Sequence, residues 1–358
     1  MDNMQKITFA ARSDTGRVRT NNEDNLYIDG VFLTPETRDK PFSLVGEADL
    51  PCVFAVCDGM GGQADGEFAS LTAAGTLARF AGRLMTAPQP QLAAVAAEYV
   101  AAANGLLCDE MRKRAVRMGT TLALAVARAD GIFAYSLGDS RIYALADGKL
   151  RQLSRDHTLA QTKIAAGLLT EEEARLGGDW HKLTACIGLF ADEQEVVPDV
   201  IPALPAGRAA RILICSDGLT DMVRDDRIEE ILRSGGTAAG AADALLAEAI
   251  ANGGRDNTTV VVFDVPGAQS TAPPGGSGAP KVRRFSFGSF ALGLALGLAA
   301  ATVIALAVLK PGGSDPAAAT PTPEPSAVQT TAEPEPSAVP SDEPTAEPSA
   351  ADTGGETE

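Results

Sequence analysis

Between Thr120 and Leu153 four apolar runs follow one another with almost nothing between them: residues 120–128, 132–137, 141–145 and a last short run ending at Leu153. The connections are turn sequences such as ADG (129–131) and ADGK (146–149). Links this short can only reverse the chain, whereas parallel neighbours need a crossover of a dozen residues or more. The stretch is therefore an antiparallel meander, and a doubly wound parallel sheet is excluded. Further strands are expected over residues 7–11, 26–28, 53–57, 212–215 and 259–263. Helices are expected over 66–83, 91–114, 158–166, 228–233 and 238–251. Helices before and after the meander give an α+β class, with helical layers covering sheets.

Composition divides the 358 residues into unlike parts. Residues 1–265 mix strands and helices as one compact domain. Residues 266–284 are a Gly/Pro/Ser linker with a basic end (Lys281, Arg283, Arg284). Residues 285–309 carry no charge at all, and as a helix would reach about 37 Å, enough for a hydrocarbon core of about 30 Å. This run reads as one transmembrane helix. The three basic residues before it keep the first domain cytoplasmic on the positive-inside rule, although Lys310 follows on the far side. Residues 310–358 are acidic, Pro-rich and free of aromatics, and read as a disordered extracellular tail. Ten acidic residues and no basic ones lie in 311–358, so of the net charge of −17 about −10 belongs to residues 1–263. A body this acidic lacks the basic surplus that a nucleic-acid backbone requires.

Five cysteines (Cys52, Cys57, Cys108, Cys186, Cys215) form no CxxC pair and sit mostly in apolar runs, as buried free thiols do. With only two histidines, His157 and His181, a His-rich metal site is excluded. The chemistry lies with aspartates at strand ends. VFAVCDGMGG brings a buried strand to Asp58, ILICSDGLTD brings another to Asp217, Asp256 in GGRDNTTVVV precedes a strand, and Asp139 occupies a tight turn in FAYSLGDSRIYAL. One such Asp is ordinarily a turn cap. Four against buried strands can converge, and hard divalent cations need several oxygens. Glycine after Asp58 leaves a backbone carbonyl open to a cation. Near the N-terminus Arg19 stands with Glu23 and Asp24, offering a fork for phosphate oxygens beside acids that can hold metal-bound water. Cations, an activated water and an anion clamp are what two-metal phosphate hydrolysis requires.

Taken in order, RTNNED (19–24), DGMGG (58–62), MGTTLALAV (118–126), GDSR (138–141), LSRDHT (153–158), SDGLTD (216–221) and RDNTTVVV (255–262) resemble the metal-dependent type 2C family of Ser/Thr protein phosphatases, in its bacterial membrane-anchored form. The likeness runs from about Ile7 to Phe263. It implies a four-layer αββα sandwich, two antiparallel sheets flanked by helices. It also implies two Mn²⁺ or Mg²⁺ ions bridged by Asp58, with the Gly59 carbonyl, Asp217 and Asp256 as further ligands and Glu23 acting through coordinated water. Arg19 would hold the substrate phosphate, and Asp24 and Asn257 would support the site. Asp139 with Asp217 would mark a third metal position. The reaction implied is in-line attack on phosphoserine or phosphothreonine by a metal-bridging hydroxide. The expected partners are phosphoproteins, among them a membrane Ser/Thr kinase of the same bacterium.

Some positions depart from the pattern. Met60 stands where many eukaryotic relatives have a His, and Met cannot donate a proton. Residues 159–182 match a flap beside the site, with Gly177, Gly178, Trp180 and His181 atypical. His181 is expected as a surface residue of that flap and His157 as a hydrogen-bonded structural group. Two rivals stand beside this reading. One is a cysteine-dependent phosphatase using the C-x5-R match from Cys108 to Arg114, where Asp109 and Glu110 oppose a thiolate. The other is a membrane-tethered pseudophosphatase that binds phosphoproteins without hydrolysis, which the complete set of acidic positions disfavours.

Overall fold

A computed structural model of the chain describes residues 6–61, 64–234 and 236–267. The apolar run 285–309, the acidic tail and nearly all of the linker lie outside them. Thirteen strands form two antiparallel sheets. One contains β1 (Lys6–Asp14), β4 (Phe42–Asp49), β9 (Arg141–Ala146), β10 (Lys149–Gln152), β12 (Ala210–Cys215) and β13 (Thr258–Val265), in the order β10-β9-β12-β13-β1-β4. The other contains β2 (Asp24–Ile28), β3 (Val31–Phe32), β5 (Cys52–Met60), β7 (Leu122–Arg128), β8 (Gly131–Leu137) and β11 (Asp199–Pro205), in the order β11-β8-β7-β5-β2-β3; the two-residue β6 (Gly119–Thr120) pairs with the end of β5. The expected α+β sandwich is present, but the four-strand meander is not one sheet: β7–β8 and β9–β10 are antiparallel hairpins in opposite sheets, and the short link at 138–140 crosses between the sheets instead of turning back within one.

Central strands here are buried on both faces, which is why they read as continuous rather than alternating apolar runs. In β5, Cys52, Phe54 and Val56 face the opposite sheet, while Val53, Ala55 and Cys57 face helices α1 (Asp65–Thr86) and α2 (Leu92–Arg114). In β13, Val261 and Phe263 face between the sheets, while Val260 and Val262 meet α7 (Ala238–Ala251). Phe54 and Phe263 stack across the inter-sheet core with ring centroids 4.3 Å apart. The segment Gln89–Arg114 is apolar and long enough to cross a membrane. Its Tyr99, Val100, Ala103 and Leu107 are instead buried in the core shared with α1, and the Tyr99 hydroxyl donates to the Ala73 carbonyl at 3.1 Å.

Besides the two-residue β3, too short to carry a pattern, two longer strands escaped the sequence reading for physical reasons. β4 is an edge strand with alternate residues exposed, and Gly46, Glu47 and Asp49 dilute its pattern. β11, also an edge, carries Pro202 where its register against β8 shifts, and proline is tolerated at such edges and bulges.

What positions the site is the way the inter-sheet rows end. Followed to one end of the sandwich, each row of inward apolar residues turns polar at its next step. Ile7–Phe9–Ala11 leads to Ser13, Ile28–Leu26 to Asp24, Cys52–Phe54–Val56 to Asp58, Ile212–Ile214 to Ser216, and Phe263–Val261 to Thr259. Register places these together, with Ser13 opposite Thr259 and Asp24 opposite Asp58.

Candidate metal centre

The polar row ends are tied by hydrogen bonds within the buried layer. Ser13 and Thr259 share a hydroxyl contact at 2.8 Å, Ser216 Oγ accepts from the Thr259 amide at 3.0 Å, and the same hydroxyl donates to Asp24 Oδ2 at 2.7 Å. On the facing sheet, Thr121 Oγ1 accepts from the Asp58 amide at 2.9 Å and lies 2.6 Å from Ser140 Oγ. Ser13, Asp24, Thr121, Ser140, Ser216 and Thr259 are all buried. They form a rigid polar floor from which Asp58 projects.

Around that floor stand the other carboxylates. Asp217 begins the short helix α5 (Asp217–Thr220) directly after β12, Asp256 precedes β13, and Asp139 occupies the turn between β8 and β9. Asn257 joins the loops. Its side chain accepts from the Glu23 amide at 2.7 Å and donates to the carbonyls of Asn21 and Thr15 at 2.8 and 3.0 Å. Arg19 reaches across to Asp256, 2.7 Å from Nη2 to Oδ2. An open cleft of about 1460 Å³ is lined by Arg19, Glu23, Asp58, Gly59, Met60, Asp139, Asp217, Asp256 and Asn257, with Asp24 buried beneath. The structure thus gathers every sequence-predicted site residue in and under one cleft.

Gly59 has a reason beyond the one read from sequence. A Cβ there would lie 2.1 Å from the Gly66 carbonyl oxygen and 2.6 Å from that of Glu23, so the start of α1 and the Glu23 loop close on bare backbone. Gly218 is similarly enforced, since its Cβ would fall 2.0 Å from the Asn257 carbonyl oxygen.

Electrostatics define what this arrangement can hold. Burial pushes the Asp58 carboxyl well above its ordinary range, and Asp24, Asp217, Asp139 and Asp256 push it further. Burial raises Asp24 to about 7 despite hydrogen bonds from Ser216 and Thr259. Burial also raises Glu23 and Asp139. Anionic oxygens this close repel unless a cation lies among them, and an all-oxygen donor set suits hard divalent ions. The residues fit such ions: Asp58, the Gly59 carbonyl, Asp217 and Asp256 can supply ligands, and Glu23 an outer partner.

His181 is an exposed flap residue as expected, but it also reaches the acids of the site. Its side chain is 58% exposed, Nδ1 lies 3.3 Å from Asp217 Oδ2 and Nε2 lies 3.4 Å from Asp221 Oδ2. Asp217, through its hydrogen bond, raises the imidazole to about 9, with Asp221 and Asp139 adding to the effect against burial. Trp180 beside it donates from Nε1 to Asp221 Oδ1 at 3.0 Å. Asp221 went unassigned in the sequence; its spacing of four from Asp217, one turn of helix, was the available signal. His157 is structural as expected, accepting at Nδ1 from the Gly138 amide and pairing at Nε2 with Asp199, each at 3.0 Å. The thiol rival fails on geometry: Cys108 is buried on α2, its Sγ 3.3 Å from the Leu189 carbonyl oxygen, and burial pushes the thiol up.

A pH-dependent stability follows. Carboxyls raised in the folded chain favour folding while protonated, so their contribution is full below the ordinary value of 3.8 and is lost as pH rises through about 7 for Asp24. In EDTA, the melting temperature should fall across that window more steeply for the wild type than for Asp58→Asn. Mn²⁺ or Mg²⁺ should restore the wild type and leave Asp58→Asn largely unmoved. Thermal melts in a pH series check both.

Known proteins place this arrangement. Residues 37–249 match the protein phosphatase 2C family. The chain is 35% identical over 261 residues to the serine/threonine protein phosphatase PstP of Mycobacterium tuberculosis, across 72% of this chain and 45% of that protein, so it spans about half the length of that relative. It is 33% identical over 264 residues to the serine/threonine phosphatase stp of Listeria innocua, across 71% of this chain and 94% of that protein. The crystal structure of the PstP catalytic domain in complex with two manganese ions superposes with a TM-score of 0.58 at 33% identity, covering 73% of this chain and 99% of that one. With its sandwich and its ring of strand-end carboxylates, this chain belongs to the protein phosphatase 2C family.

Proposed function

We propose that the chain is a metal-dependent protein serine/threonine phosphatase that removes phosphate from phosphoserine and phosphothreonine in proteins. The observation that carries this reading is the convergence of Asp58, Asp217 and Asp256 with the Arg19 guanidinium in one open cleft. The two manganese ions of the PstP structure support Mn²⁺ or Mg²⁺ as the cofactor here. Bound in the cleft, such ions supply an acidified water and positive charge for the phosphoryl oxygens. The chain's own residues do the rest. Asp58 holds the centre, fixed by the Thr121 hydroxyl beneath its amide. Asp217 and Asp256 close the flanks, and Asp24 and Asn257 keep the loops from shifting. Arg19, side chain half-exposed and long enough to swing from Asp256, offers its planar fork to the substrate phosphate. Met60 lines the cleft without a proton to give, so the leaving oxygen takes its proton from another group. The openness of the cleft suits a phosphorylated side chain presented by a protein, rather than a small ligand that must be enclosed.

We further propose that residues 285–309 anchor the domain to the cytoplasmic face of a membrane, with 310–358 outside, and that a membrane Ser/Thr kinase is among its substrates. The uncharged run and the preceding Lys281, Arg283 and Arg284 support this placement.

The catalytic reading predicts Mn²⁺-dependent release of phosphate from a phosphothreonine peptide, abolished by EDTA. Asp58→Asn should lower kcat more than ~100-fold, beyond the loss typical of outer-shell changes at metal sites. Arg19→Ala should chiefly raise KM. Equal inertness of wild type and Asp58→Asn with either cation would instead favour a phosphoprotein-binding pseudoenzyme. For the topology, protease added to intact cells should remove an epitope at the C-terminus and spare one at the N-terminus. Recovery of both epitopes in the soluble fraction would rule the anchor out.

A further inference from the structure

Most arginines are matched to a nearby acid: Arg19 to Asp256, Arg211 to Asp264, and Arg227 to both Glu230 and Glu248. Among the described residues only Arg17, Arg151, Arg155 and Arg255 have neither an ion pair nor a side-chain hydrogen bond. In a domain with a surplus of acids, cations left over in this way are unexpected.

Two of the four lie against one turn at the edge of the cleft. The turn is Gly253–Gly254, with φ of 135° and 51°. The Arg17 amide donates to the Gly254 carbonyl at 2.7 Å, which fastens the loop carrying Arg19 to the loop carrying Asp256. Both arginine stems rest on the bare glycines: a Cβ on Gly254 would lie 3.3 Å from Arg17 Cγ, and one on Gly253 would lie 3.8 Å from Arg255 Nε. Both residues are exposed, and Arg255 lines the cleft. The same turn meets the segment before α6 (Asp225–Arg233), where Asn252 donates to the Met222 carbonyl at 2.9 Å. Arg224 in that segment also lines the cleft. Its ion pair with Glu172, on α4 (Glu171–Leu176) of the flap beyond α3 (Leu159–Ala165), is long at 3.9 Å and largely exposed, so it holds the guanidinium weakly. Of the acids on this side, Asp256 is held by Arg19 and Glu248 by Arg227, while Asp226 accepts from the Arg227 amide. The edge is left with positive charge to spare. Guanidinium forks suit carboxylate and phosphate oxygens.

We infer that Arg17, Arg224 and Arg255 form a second anion subsite, which selects phosphoproteins carrying another negative group, a carboxylate or a second phosphate, within a few residues of the phosphoserine or phosphothreonine. This subsite rests on the phosphatase reading above and names a substrate class within it. Arg255 adjoins Asp256, the partner of Arg19, so an extended segment with its phosphate on Arg19 brings neighbouring residues past this edge at about 3.3 Å per residue. The acidic body repels such segments elsewhere, and the edge draws them in.

Phosphothreonine peptides of one neutral parent sequence test the subsite. Glutamate is scanned over the three positions on either side, with glutamine as the uncharged match, and a second phosphothreonine replaces glutamate at the best position. Phosphate release by the full chain with Mn²⁺ is followed at low and high salt, with mass spectrometry assigning which phosphate leaves. The chains compared are wild type, Arg17→Gln/Arg224→Gln/Arg255→Gln, and Arg151→Gln as an unpaired arginine on β10. In wild type, glutamate at one or more positions should raise kcat/KM at least ~5-fold over glutamine, mainly through KM, and salt should shrink the gain. The triple variant should bring that ratio close to one, and Arg151→Gln should keep it. Reading a ratio within each chain cancels any general loss of activity. A gain from either anion supports the subsite, and the larger gain names its source. A ratio near one at every position in wild type, or a preference that survives in the triple variant, would overturn the subsite and leave the proposed function standing. If no peptide loses phosphate with Mn²⁺, both readings fail.

Discussion

Mutual repulsion among buried and half-buried carboxylates is the interaction on which this structure turns. Asp24, Asp58, Asp139, Asp217 and Asp256 meet at one end of a sandwich whose inter-sheet layer is otherwise apolar. Folding alone gives no reason to bring them together. The basic groups that reach them from the cleft are few: Arg19 on Asp256, and His181 on Asp217. Asp24 is held there by the hydroxyls of Ser216 and Thr259 and Asp58 by the Thr121 hydroxyl on its amide, groups that continue the strand rows, so the chain is built to keep the repulsion rather than to relax it. A set of oxygens fixed in that way is an arrangement for divalent cations, and the chemistry proposed for the chain follows from it.

The sandwich contributes rigidity in a specific form. Because β1, β2, β5, β12 and β13 are buried on both faces, their ends cannot drift without disturbing two cores at once. Asp58 and Asp24 are opposite each other in register, and Asp217 and Asp256 each lie two positions from the ends of the paired strands β12 and β13. Loops supply the basic groups: Arg19 sits on an exposed segment, and His181 lies on the flap, which the Thr158–Leu183 bridge, the Leu159–Lys182 hydrogen bond and the Trp180–Asp221 hydrogen bond tie down. Acids on rigid strand ends and basic groups on exposed loops suit the proposed chemistry, in which cations stay and substrate exchanges.

Much of this was legible in the sequence because it is local. An apolar strand running into Asp-Gly marks Asp58 and Asp217, and short turns mark the β7–β8 and β9–β10 hairpins; that the equally short link at 138–140 changes sheets was not legible, because a tight connection looks the same either way. The hydroxyl floor was legible in principle: Ser216 follows Ile212 and Ile214 at period two, as Ser13 follows Ile7, Phe9 and Ala11. It passed unread because a Ser at a strand end looks like a turn residue until the facing sheet is known. The flap contacts were not legible. Trp180 and Asp221 are 41 positions apart, and the intervening segment has no periodicity to say that they meet. The edge strands β4 and β11 were lost for the opposite reason, since half-exposed strands with Gly or Pro carry too little apolar signal.

The central claim is that Asp58 lies between two divalent cations. Crystals grown with Mn²⁺ and measured for anomalous scattering test it most directly. The account predicts two anomalous peaks, both within about 2.6 Å of Asp58 carboxylate oxygens, with Asp217 or Asp256 completing the set. Manganese found only on the surface, with Asp58 still facing Asp24 and no ion between its neighbours, would contradict it.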